Sequence, residues 1–265
     1  MGNRLSFLAQ LALTLLVAAF LIVPAILSML AGVTANYFRG IRSGLTLQWV
    51  MQVWELYADT IVRSFAVALI TLAVTLIVGV PAAYALHVRG GRLARAVEEI
   101  ITLPLAIPGL AIALALLLAY GGLSDFRRSS LFIVAGHVVF TLPFMVRSVI
   151  AVFALIDVKT LDESASSLGA SAWRRFCDVI VPNAVPGILA GSLMVVTLSL
   201  GEFNLTWMLH TPLTKTLPVG LADSYASMRL EVASAYTLVF FVMIIPLLVA
   251  MQIFADRAGR QVALR

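Results

Sequence analysis

The chain has 265 residues, 62% of them hydrophobic and 12% charged, with a net charge of +5. That is more apolar surface than a soluble core can hide, so a bilayer is its natural solvent. The basic residues punctuate apolar runs instead of clustering with aromatics on one face, which argues against nucleic acid as a partner, and one cysteine, Cys177, excludes an internal disulfide and a thiolate zinc knuckle.

Hydropathy predicts six apolar segments, near 5–31, 58–88, 98–121, 130–156, 183–209 and 232–255. The runs lack the in-out alternation of barrel strands, so the expected fold is an all-α bundle of about six transmembrane helices, one domain over 1–265. The first run follows Arg4, contains Pro24 and is much longer than a signal-peptide core of about 7–15 residues. It reads as a retained span. The connection after it carries Tyr37, Trp49, Trp54 and Tyr57, which suit either an aromatic belt at the headgroups or a platform for an external protein. In the third segment Pro104 and Pro108, beside Gly109, predict an irregular point in the bundle.

Six spans leave both ends on one side. Arg4, Arg89, Arg92, Arg95, Lys159, Arg174, Arg175, Arg257, Arg260 and Arg265 fall on that side, against Arg39, Arg42, Arg127, Arg128, Lys215 and Arg229 on the other. This asymmetry predicts cytoplasmic N- and C-termini.

Between the fourth and fifth segments lies a polar stretch, about 157–182. Leu161, Ala165, Leu168 and Ala172 recur at helical spacing, opposite Glu163, Ser167, Ala170 and Arg174. Thr160 and Glu163 fit a capping box at the start of a short helix. Gly169 suits the left-handed end of that helix, Ser171 the cap of a second one through Phe176 and Val179, and Pro182 a stop before the fifth span, whose first turn would hold Pro186. The same stretch could instead lie on lipid, with Trp173 and Phe176 inserted and Arg174 and Arg175 at the phosphates.

Glu202 lies in the fifth segment with Ser199, Gly201 and Asn204 close by. A carboxylate inside a span needs protein or water around it, so these four residues are candidates to line a passage. Pairing of Glu202 with Arg63 or Arg147 would be the structural alternative. His87, His137 and His210 fall on different segments, and no metal site is expected. An intramembrane serine protease would need a serine within reach of His137, and no local motif supplies one. A passive channel would share the spans without needing an ATPase.

The spacing Glu163-Ser164-Ala165, then Gly169, then Val179-Ile180-Val181-Pro182 resembles the cytoplasmic "EAA" loop of permease subunits in binding-protein-dependent ABC importers, where Glu-Ala-Ala precedes a Gly and an Ile-x-Leu-Pro. Ser164, Val179 and Val181 depart from that pattern by small changes in bulk. The resemblance extends to the number of spans and to importers of polyamine, ferric iron, phosphonate, molybdate and sulfate. It implies a chain that is not itself an enzyme, in an inner membrane of a bacterium or archaeon, coupled through Glu163, Ser164, Ala165, Gly169 and Pro182 to two separate ATPase subunits. It further implies a second permease, the same or different, a periplasmic or lipid-anchored solute-binding protein, and alternating access. The substrate implied is a small charged metabolite, with polyamines and phosphonates favoured. No Gly-x-x-x-x-Gly-Lys-Ser/Thr sequence occurs, so ATP and Mg are expected on the partner ATPase and no cofactor on this chain.

Overall fold

Lipid offers no partner to a backbone amide, so each spanning segment must bond within itself. The computed structural model describes the backbone of residues 2–263 and the side chains of residues 6–255. The side chains of Arg4, Arg257 and Arg260, and the whole of Arg265, lie outside the described residues. Among the described residues, every regular element is helical, and Thr34 and Leu45 form an isolated β-bridge.

In chain order the α-helices are α1 (Gly2–Ala31), α2 (Gln48–Arg89), α3 (Gly91–Thr102), α4 (Gly109–Tyr120), α5 (Ser124–Arg128), α6 (Ser130–Phe153), α7 (Val158–Ser167), α8 (Ala172–Arg174), α9 (Val181–Gly201), α10 (Asn204–Leu209), α11 (Leu217–Ala226) and α12 (Leu230–Ala263). Five helices are long and apolar enough to cross a membrane: Ser6–Ala31, Gln48–Arg89, Ser130–Phe153, Ala172–Gly201 and Leu230–Ala255. The third expected span is not straight. It consists of Gly91–Ala106 and Gly109–Tyr120, bent by 110°, and counts as a sixth span only if the bent pair is taken as one. The break falls at Ile107 and Pro108, which are extended, because the proline ring disfavours helical backbone at the residue before it. This is the irregular point that Pro104, Pro108 and Gly109 predicted.

The fifth span also departs from expectation. It begins at Ala172, not near residue 183, and runs to Gly201 through a π-helical stretch, Arg175–Ile180. The wider π turn lies directly before Pro182 and lets the helix pass a residue that cannot donate. Pro182 is therefore not a stop, and the helix that begins at Ala172 continues through it into the span.

The residues pack as two compact units, Met1–Asp59 with Gly220–Ile244, and Thr60–Val219 with Ile245–Arg265. In the first, Tyr57 and Tyr236 stack with centroids 5.5 Å apart, and the Arg229 guanidinium donates to the Tyr57 hydroxyl at 2.7 Å. In the second, α6 lies closely along α9. A Cβ on Gly187 would stand 2.6 Å from Ser148 O, and one on Gly191 would stand 2.8 Å from Met145 Sδ. Glycines four apart share a face, and their missing side chains let two backbones approach where lipid provides no hydrophobic drive between helices. Met145, Val149, Phe153, Ile180 and Ala184 form the buried seam that results. Nearer the other end of α6, Ile112 and Ala113 of α4 meet Phe132 and Ile133 of α6 and Leu205 and Leu209 of α10.

Gly187→Ala is expected to cost about 1–3 kcal/mol, because a carbonyl on α6 would have to retreat. Gly191→Ala should cost less, since the Met145 thioether can turn aside. Thermal unfolding midpoints in detergent read the order directly; indistinguishable midpoints for wild type and both variants would contradict this account of the seam.

Candidate functional site

Two arrangements stand out, both within the unit containing residues 60–219. The first is the polar stretch at 157–182. Asp157, not Thr160, caps α7: its carboxylate accepts the Thr160 amide at 3.1 Å and the Thr160 hydroxyl at 2.6 Å. The expected capping box from Thr160 to Glu163 does not form. An ionised carboxylate served by two donors is the stronger cap, and it moves the helix start back to Val158. The hydroxyl and amide of Thr160 hold the Asp157 carboxyl below the usual carboxylate range. Glu163 is thereby released from capping; its side chain is 67% exposed, with Lys159 Nζ 3.9 Å away.

The helix end follows the expectation. Gly169 has φ +82, its amide donates to Ser166 O at 2.9 Å, and the Ala170 amide donates to Ala165 O at 3.1 Å. This is the two-bond Schellman closure that a left-handed glycine permits. Ser171 Oγ then accepts the Arg174 amide at 3.4 Å, capping the helix that becomes the fifth span.

A latch holds the two arms together. Arg175 Nε lies 3.1 Å from Asp162 Oδ1 as a charge contact without hydrogen-bond geometry, while Arg175 Nη1 donates to Ser166 Oγ at 2.6 Å. The Tyr84 hydroxyl of α2 donates to the same Asp162 oxygen at 2.8 Å, and its ring lies 5.6 Å from that of Phe176. Arg175 and Phe176 are thus turned inward, contrary to the lipid-surface arrangement in which one meets phosphates and the other inserts. The expected apolar stripe divides: Leu161 and Ala165 are half-buried, whereas Leu168, at 89% exposure, and Ala172 point outward. With Glu163 and Trp173 they make the open rim of the elbow. The meeting of Asp162, Arg175 and Tyr84 escaped the sequence reading because they sit on three elements with no common period.

The second arrangement is a break in the chain after α9. Glu202 is extended, and its Oε1 accepts the Leu205 amide at 2.6 Å, capping α10. At the other end of α10, Arg127 Nη1 donates to Leu209 O at 2.7 Å. From α6, buried His137 meets Ser199 Oγ through Nδ1 at 2.7 Å and Thr206 Oγ1 through Nε2 at 2.8 Å. The Thr206 hydroxyl donates its one proton to Glu202 O at 3.1 Å. Thr206 must therefore accept from Nε2–H, which leaves Nδ1 to accept from Ser199. The result is a directed chain from Ser199 through His137 and Thr206 to the carbonyl at the break.

The break in the third segment lies beside it, for a Cβ on Gly109 would stand 3.4 Å from Glu202 Oε1. Of the four residues expected to line a passage, Glu202 is half-buried and Gly201 and Asn204 are exposed around it, while Ser199 is buried against His137. Among the described residues Glu202 forms no ion pair with Arg63 or Arg147, the expected alternative; Arg63 Nη1 instead donates to Ser130 Oγ at 3.3 Å. The structure does bring a serine to His137. Both are nearly inaccessible, however, the second ring nitrogen is occupied by Thr206, and no carboxylate orients the ring, so the pair is a fastener and not a nucleophile with its base.

Comparison with known proteins gives a consistent result. Residues 76–260 match the family described as binding-protein-dependent transport system inner membrane component. PhnV of Salmonella typhimurium (strain LT2), a permease ascribed to 2-aminoethylphosphonate transport, is 25% identical over 250 residues, 94% of each chain. The molybdenum transport system permease ModB of Azotobacter vinelandii is 28% identical over 205 residues, 72% of this chain and 89% of ModB. Among solved structures, a bacterial ABC transporter that imports the acidic polysaccharide alginate has a similar fold, with TM-score 0.69 at 17% identity over 98% of this chain and 96% of that one. The methionine ABC transporter MetNI in inward-facing conformations gives 0.64 at 18% identity, over 80% and 98%.

Two substitutions test this geometry. Arg175→Ala leaves Asp162 and Ser166 short of a partner, a loss of about 1–3 kcal/mol, and amide hydrogen exchange should quicken across α7 and the Gly169 turn; unchanged exchange would mean that the latch holds nothing. His137→Ala removes two buried hydrogen bonds at roughly 0.6–2 kcal/mol each, lowering the thermal midpoint, and Ser199→Ala in that background should add little. Full additivity of the two would contradict the directed chain.

Proposed function

Since the chain belongs to the binding-protein-dependent transport system inner membrane components, and is a multi-pass permease subunit of an ABC importer, we propose that its elbow at 157–182 couples solute passage to ATP hydrolysis on a separate subunit. One observation carries this reading: the elbow is latched on its inner side by Asp162, Arg175 and Tyr84, and open on its outer side at Glu163, Leu168 and Trp173. A hydrophobic side chain 89% exposed at a capped, bonded turn is a knob suited to a partner's cleft.

In this reading Glu163, Ser164, Ala165 and Gly169 shape or touch the ATPase, and Pro182 lies inside the helix that carries their motion inward. ATP and Mg belong to two ATPase subunits, since this chain has no phosphate-cradling Gly-x-x-x-x-Gly-Lys sequence. A second permease completes the pathway, and a periplasmic or lipid-anchored binding protein delivers the solute. The N- and C-termini face the cytoplasm, as does the elbow. Gly201, Glu202 and Asn204 border the passage, with Ser199 behind them as part of the His137 chain. Relatives named for 2-aminoethylphosphonate and molybdenum transport make a small oxyanion the first substrate class to test, ahead of a polyamine.

Co-purification with the ATPase and ATP-driven uptake into proteoliposomes test the coupling. Leu168→Asp and Gly169→Val should each lower both at least about tenfold, the first by charging the knob and the second because a branched residue resists a positive φ. Glu163→Ala should weaken ATPase retention with α7 still protected from exchange, because Asp157 holds that helix. Uptake at full rate by the purified permease without an ATPase would overturn the reading.

A further inference from the structure

Directly after α1 the chain turns back on itself, held by the bridge between Thr34 and Leu45 and by hydrogen bonds from the Ala35 amide to Gly44 O (3.0 Å) and from the Thr46 amide to Val33 O (2.8 Å). Inside the turn, the Asn36 amide donates to Ser43 Oγ at 2.9 Å, the Arg39 amide to Asn36 Oδ1 at 3.0 Å, and the Ser43 hydroxyl to Gly40 O at 2.6 Å. Trp49 Nε1 donates to Thr34 O at 3.0 Å, and Glu231 Oε1 accepts the Tyr37 amide at 2.9 Å. Trp49 is therefore tied into the fold, whereas Trp54 is 60% exposed.

This well-bonded loop nevertheless turns apolar side chains outward, with Phe38 81% and Leu45 69% exposed. Between it and the last turns of α1 lies a cavity of about 530 Å3 lined by Pro24, Leu27, Ala31, Thr34, Tyr37 and Ile41. Arg39 and Arg42 flank the lining residues Gly40 and Ile41; both are exposed, and positions 34–47 contain no acidic residue.

We propose that this cavity binds one anionic glycerophospholipid, an acyl chain lying against Pro24, Leu27 and Ala31 and the phosphate meeting Arg39 and Arg42. Three observations support a lipid over a protein occupant. The loop begins where a 26-residue apolar helix ends, at the level of the headgroups. None of that helix's apolar window is buried within this chain, so its side of the cavity is continuous with an exposed apolar surface. The combination of exposed apolar side chains and exposed cations is that of an interfacial segment, and the volume lies in the range of small-ligand sites. The proposal rests on membership of a membrane-protein family and is independent of the coupling reading.

Native mass spectrometry of the purified transporter, titrated with phosphatidylglycerol or phosphatidylcholine of identical acyl chains, tests it. One phosphatidylglycerol per copy of this chain should be retained in preference to phosphatidylcholine. The Arg39→Ala/Arg42→Ala variant, altered only at exposed positions, should bind phosphatidylglycerol about 30-fold more weakly, and Ala31→Trp, which fills the cavity, should lose the bound lipid. Equal retention of the two lipids by wild type would overturn the proposal, as would unchanged binding in the double variant or displacement of the lipid by the solute-binding protein.

Discussion

A six-residue helix cannot stand alone, least of all where lipid offers nothing to its free amides and carbonyls. The short helix α10 is exposed to that constraint, and three side chains from different parts of the chain answer it. Glu202 takes an amide at its start, Arg127 gives to a carbonyl at its end, and His137 ties its flank to α9. Remove any one and a backbone or hydroxyl group loses its partner inside a bundle. The break at Glu202 and the exposure of Gly201 and Asn204 depend on α10 keeping its place, and the bend at Ile107 and Pro108 lies against it.

The elbow answers a different demand. In the proposed coupling role, a turn that transmits force must not flex between its arms, and the side that would meet the ATPase must be free. The charge contact and hydrogen bonds around Asp162 and Arg175 provide the first condition, with Tyr84 joining them to α2. Because the latch uses inward side chains, Glu163, Leu168 and Trp173 remain available outside. The π turn before Pro182 makes the second arm and the fifth span a single helix. In the proposed coupling role, motion at the elbow would reach the α6–α9 seam, where Gly187 and Gly191 allow close approach of the two helices.

Local chemistry was readable from the amino acids. Gly169, Ser171 and the irregularity at Pro108 follow from backbone preferences carried by single residues, and the spans follow from length and hydropathy. What could not be read depended on choices between near-equivalent groups or on long-range meetings. Asp157 and Thr160 both resemble caps, and only the geometry of two donors on one carboxylate separates them. Pro182 reads as a stop until the π turn is seen to absorb it. Glu202 reads as a lone acid in a span because nothing local marks the helix end at Gly201, and Ser199, His137 and Thr206 are brought together only by packing of α6 on α9 and α10.

The central claim is that the elbow and the fifth span move as one body. Spin labels at the exposed positions Ser167 and Met194, with a second pair at Ser167 and Leu118, would report this in the assembled transporter by pulsed electron–electron double resonance. Adding ATP should leave the distance from 167 to 194 unchanged while the distance from 167 to 118 shifts. A change in the 167–194 distance of the same size as the other would contradict the account, because the elbow would then be bending at Gly169 instead of carrying the span.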